Sequence, residues 1–157
     1  LWSISLLGSS YPLFALSVTG VTFASGWIVD RFSTVHLLRI FLLPLALGLM
    51  LIASTDSVFA FPLFMILVGA STGSATIVIS ALWAELYGIG YLGSIRSMCF
   101  SMVVISTSIS PALIGFLLDI GVTLEVQFII FAIYVLVCSI GFGILTHNLL
   151  IARTPPS

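Results

Sequence analysis

Gly26-Trp27-Ile28-Val29-Asp30-Arg31-Phe32-Ser33 is the stretch on which the reading of this chain turns. An acid and a base stand side by side here, between two long apolar runs. Apolar sequence resumes at Val35, so the chain is expected to reverse within about four residues. That suits a tight turn at a membrane surface and is too short for a linker between domains.

The surroundings of this turn decide its solvent. The chain has 157 residues, of which 61% are hydrophobic and 6% charged, and its mean hydropathy is +1.35. A soluble domain covers itself with roughly 25% charged residues, so lipid is the solvent that fits. The formal net charge of -1 leaves no basic face for a nucleic acid. Cys99 and Cys138 both lie in apolar runs, without a CxxC partner or a neighbouring His, and read as small packing residues. Neither a metal nor a cofactor is expected. The chain opens on Leu1 with no basic segment ahead of its apolar sequence, so a signal peptide is not expected. It reads as a fragment whose N-terminal part is missing.

Crossing a bilayer takes about 20 apolar residues per helix. Five stretches qualify: about 4–29, 35–53, 58–83, 97–118 and 124–146. The fold class is therefore an all-α membrane protein with five transmembrane helices. Pro12 is expected to kink the first helix or mark its true start, Pro44 falls inside the second, and Pro111 interrupts the fourth. Pro62 sits in the first turn of the third, where a missing N–H costs little. Ser33 or Thr34 is a candidate N-cap for the second helix and Thr123 for the fifth. Polar joints at 30–34, 54–57, 85–96 and 119–123 separate the spans, and residues 152–157 read as a disordered tail.

Threading the spans alternately places Arg31, Arg39, Arg96 and Arg153 on one side, and Asp56, Asp119 and Glu125 on the other. The positive-inside rule then puts the Asp30 turn and the C-terminus in the cytoplasm and Leu1 outside, in a multi-pass cell-membrane protein.

Hydroxyl residues are unevenly shared. The first, third and fourth helices are rich in Ser and Thr, the second has none, and the fifth has two. Hydroxyls in lipid are better placed against other helices or a wet cavity than against acyl chains. Helices one, three and four are thus expected inside the bundle, with two and five at its edge. Ser17, Thr22, Thr72, Thr76, Ser101 and Ser108 are candidates to line a cavity. Close helix packing, as Gly69-xxx-Gly73 would permit, is the alternative use for each.

With the turn at the cytoplasmic face, the chain resembles the C-terminal half of major facilitator superfamily transporters. The stretch from Gly26 to Phe32 is similar to that family's G-x-x-x-D-R-x-G signature, with Ser33 standing where the last Gly would be. Trp83-Ala84-Glu85-Leu86-Tyr87-Gly88 and Leu92-Gly93-Ser94-Ile95-Arg96 resemble the loop between the tenth and eleventh helices. Ser110-Pro111-Ala112-Leu113-Ile114-Gly115, with Asp119 and Gly121, resembles the eleventh helix.

The resemblance implies that residues 1–151 are helices eight to twelve of a six-plus-six bundle, and that the rest of the same chain is a partner. It implies a secondary transporter that moves a small solute by alternating access. Gly26, Asp30, Arg31, Arg39, Glu85 and Arg96 would form a conformational latch; solvated loop charges serving only topology are the plainer reading. No Asp, Glu, Lys or His lies near the middle of a predicted span, so any proton carrier is expected in the missing half.

An enzyme is not expected. Gly69-Ala70-Ser71-Thr72-Gly73 fits G-x-S-x-G, but it lies inside an apolar helix rather than at a strand-to-helix turn. The two histidines, His36 and His147, sit near membrane edges. A channel or non-catalytic membrane subunit is the closer rival.

Overall fold

The computed structural model describes residues 4–32, 34–55, 57–88, 90 and 92–153, and all regular structure among them is helical. The elements are α1 (Ile4–Phe32), α2 (Thr34–Ile40), α3 (Leu43–Ser54), α4 (Ala60–Tyr87), α5 (Leu92–Asp119) and α6 (Leu124–Arg153). Gly8–Arg31, Ala60–Glu85, Leu92–Asp119 and Leu124–Leu145 are each long and apolar enough to cross a membrane.

The second expected span is broken. Its helix stops at Ile40 and restarts at Leu43, so Pro44 stands in the first turn of α3 rather than inside a continuous helix. A proline at 44 has no N–H for the Ile40 carbonyl, and its ring would clash with that oxygen if the helix ran through. The break is held from outside, by the Ser71 hydroxyl donating to the Phe41 carbonyl at 2.8 Å. A narrow apolar cavity of about 170 Å³ lies against it, lined in part by Ser25, Ile28, Pro44 and Ser74.

Pro12 and Pro111 do not end their helices: α1 begins upstream of Pro12, and α5 continues past Pro111. The 85–96 joint is also shorter than expected, because α4 runs to Tyr87 and α5 begins at Leu92. Glu85 and Arg96 thus belong to helix ends that outrun the apolar core, where a charge can still reach water. Gly88 caps α4 with φ +70 and an N–H donated to the Ala84 carbonyl. α5 ends in a Schellman motif: Gly121, at φ +89, donates to the Leu118 carbonyl, and Val122 to that of Leu117. The trailing D-x-G is therefore a helix stop. α6 reaches Arg153, so residues 152 and 153, expected in the tail, are helical; residues 154–157 lie outside the described part, as does Ser33.

Close contacts set the directions of the helices. Gly69 approaches Phe14 and Ser17, and Gly73 approaches Val18 and Thr22, so α1 and α4 run parallel. Phe41 meets Ser71 and Gly48 meets Phe64 and Leu67, so the α2–α3 segment returns antiparallel along α4. α6 covers α2 and α3, with Phe142 5.8 Å from Phe41 between ring centroids. The central cluster is Leu37, Leu38, Phe41 and Val78, with Ile28, Leu82 and Phe142 packed on it.

This arrangement reverses part of the hydroxyl argument. The broken second helix, expected at the edge, supplies Leu37, Leu38, Phe41, Ala46, Leu49 and Ile52 to the core. The fourth expected helix, α5, has no buried residue and leans mainly on α4; residues 100–113 are all exposed. Its hydroxyls donate to carbonyls one turn back in the same helix, as Ser101 does to Ser97 and Ser110 to Ser106, both at 2.9 Å. A hydroxyl that satisfies itself needs no neighbour, so counting Ser and Thr does not locate the interior.

Candidate functional site

α4 presents three faces to three neighbours, and the hydroxyl residues divide among them. Gly69 and Gly73 face α1. A Cβ at Gly73 would lie 2.6 Å from the Val18 carbonyl oxygen, and one at Gly69 2.8 Å from that of Phe14. Those distances require glycine. Ser17 seals the contact by donating to the Ile66 carbonyl at 2.7 Å, and Thr22 donates to Val18 at 2.7 Å while lying 3.4 Å from the Gly73 carbonyl oxygen. Both expected cavity residues of α1 therefore sit in a helix–helix seam.

The second face carries Ser71, which is 4% exposed and spends its proton on Phe41. The serine of the G-x-S-x-G match thus serves as a buried strut at the α2–α3 break. The side chains of His36 and His147 lie outside the described part of the structure.

The third face opens on a cleft of about 330 Å³ between α4 and α5. Thr72, Thr76, Ser80 and Trp83 line it from α4, and Arg96, Cys99, Phe100 and Val103 from α5. The α4 residues are spaced by four, four and three, which keeps them on one helical stripe. Two of the cavity residues expected from sequence, Thr72 and Thr76, are here, together with Arg96. Ser101 and Ser108 are exposed on α5 and do not line it. Ser80, Cys99 and Phe100 are new to the site. The signal that could have found them is their helical spacing from Thr76 and Arg96, but it becomes visible only once α4 and α5 are known to be antiparallel.

The hydroxyls of the cleft wall are already engaged. Thr72 donates to Val68 at 2.8 Å, Thr76 to Thr72 at 2.9 Å and Ser80 to Thr76 at 2.8 Å. Their oxygens keep lone pairs and can accept hydrogen bonds from an occupant. The other donor groups among the lining side chains are the Arg96 guanidinium, the Trp83 indole N–H and, weakly, the Cys99 thiol.

The candidate latch residues separate into two groups. Thr34, 0% exposed, donates from Oγ1 to Glu85 Oε1 at 2.5 Å, so its hydroxyl is spent across the bundle on α4. This bond ties the turn after α1 to the end of α4, and the distance suits a charged acceptor. Asp30 and Arg31 are exposed, and the Arg31 guanidinium lies over the Trp27 ring, 5.6 Å from its centroid. Gly26 has open space where a Cβ would stand, so no neighbour requires glycine there. Arg39 is on α2, with its side chain outside the described part.

One polar residue escaped the sequence reading. Gln127, 2% exposed near the start of α6, donates from Nε2 to the Val122 carbonyl at 3.0 Å while its Oε1 has no partner. Compared with family models, with curated proteins and with solved structures, the chain matches none.

Proposed function

We propose that this chain is part of a secondary transporter of the major facilitator kind, moving a small solute across the cell membrane by alternating access. In this reading the α4–α5 cleft is one wall of the solute path, and further helices of the same protein close it over α5. The turn after α1 faces the cytoplasm and works as a latch, with Thr34–Glu85 as the bond that holds it shut.

The observation that carries the proposal is the cleft itself. Its hydroxyl stripe, its tryptophan and its single arginine line a groove between two antiparallel helices, and the groove is not filled by side chains. Hydroxyls and an arginine along one open groove suit a polar occupant better than acyl chains, which offer them no partner. The Thr34–Glu85 bond supports the latch by joining two segments distant in sequence.

The test is flux in proteoliposomes holding the complete protein. Saturable, solute-specific uptake that falls in Asp30→Asn and Glu85→Gln, with insertion unchanged, supports the reading. Ohmic conductance without saturation speaks for a channel. Uptake indifferent to both substitutions removes the latch.

A further inference from the structure

We propose that the α4–α5 cleft binds a small monoanionic solute with an aromatic body, of the arylcarboxylate class. The carboxylate meets the Arg96 guanidinium, and the ring system lies along Trp83, Ile79 and Phe100. The inference rests on reading the cleft as a solute site and adds the chemistry of the occupant.

Charge comes first. Arg96 is the single charged side chain among the described residues that line the cleft, and no acid shares the lining with it. Arg96 lies in the second turn of α5, and its planar fork matches a carboxylate through two parallel hydrogen bonds.

The single cation then suits an anion of one charge. Thr72, Thr76 and Ser80 have committed their protons to their own helix, so none is free to donate to a second anionic group. Past Arg96 the wall offers hydroxyl acceptors, the neutral Trp83 indole N–H and apolar surface, with no second charge, which suits a neutral body.

Shape narrows the class further. Small-molecule sites run from about 300 to 1,000 Å³, and at about 330 Å³ this cleft is at the lower end. Trp83 and Phe100, one from each helix, provide faces and edges for an aromatic ring.

Cys99 lines the same cleft, half-buried and one turn from Arg96, and reports its occupancy directly. Cys138→Ser leaves it as the chain's only thiol. The full chain in phosphatidylcholine vesicles is treated with membrane-permeant N-ethylmaleimide, and labelling is followed by mass spectrometry with naphthoate or its neutral carboxamide. Naphthoate at about ten times its dissociation constant is expected to slow labelling about tenfold, while the carboxamide leaves the rate unchanged. Arg96→Gln is expected to abolish the protection and keep the unliganded rate, and Arg96→Lys to retain part of it.

Equal protection by both probes, or by neither, overturns the proposal in the unmodified cleft, whatever the arginine variants do. So does slowing by phosphatidylglycerol vesicles without any probe, since a lipid head group would then be the occupant. Labelling reads occupancy and flux reads transport. Protection without flux leaves the site standing and removes the transporter, and flux without protection does the reverse.

Discussion

Gly73 and Gly26 look alike in sequence, each a glycine within a long helix, and they differ entirely in what surrounds them. At Gly73 an added methyl would meet backbone, which cannot swing aside as a flexible side chain can. Gly73→Ala should therefore push α1 from α4 and destabilise the protein by about 1–3 kcal/mol, the usual cost of overpacking. Gly26→Ala meets nothing and should be neutral, or stabilising by up to about 1 kcal/mol through helix propensity. Reversible unfolding in mixed detergent micelles reads both, and equal effects would mean that the α1–α4 seam is looser than its distances. The G-xxx-G spacing at 69 and 73 was legible as a packing signal. That Gly26 has no close neighbour was not, because spacing along one helix says nothing of what lies opposite.

At the scale of elements, the α2–α3 break is the feature most open to test. Pro44 denies the Ile40 carbonyl its helical donor, and Ser71 supplies a donor to the next carbonyl along. Pro44→Ala restores the N–H, so the flanking amides of Leu43 and Leu45 should exchange their hydrogens more slowly, by about fivefold for a bond worth roughly 1 kcal/mol. Ser71→Ala should loosen the same segment by a similar factor. Unchanged exchange in both variants would mean that α6 packing alone holds the break. Pro44 was visible in the sequence as an interruption; its outcome was not. Pro111 leaves α5 helical, while at Pro44 a serine on α4 stands ready for an exposed carbonyl.

Across the whole molecule, the parallel course of α1 and α4 requires the segment between them to return the chain to its starting side. The turn after α1 and the end of α3 are then at opposite ends of the bundle. In a background without native cysteines, an impermeant maleimide added outside intact cells should label Thr55→Cys and spare Arg31→Cys. Labelling of position 31 alone would invert the orientation drawn from the arginines. Labelling of both would contradict the antiparallel course of α2–α3 along α4. The nearly bare α5 belongs to this scale too: an apolar helix exposed along its length, with Phe100 65% and Met98 64% exposed, is acceptable only against lipid or further helices.

The amino-acid order by itself determined that the chain is helical, apolar enough for a bilayer, and punctuated near Ser54, Gly88 and Gly121; the joint expected at 30–34 is shorter, because Asp30 and Arg31 lie inside α1. Those properties follow from hydropathy, charge scarcity and turn chemistry, which act over a few residues. Which helices form the centre was settled only by tertiary packing. The hydroxyls of α5 bond to their own backbone, and the residues of α2 and α3 meet partners on other helices, as Phe41 meets Phe142 and Gly48 meets Phe64. Burial is a property of pairs of helices, and no single helix carries it in its own sequence.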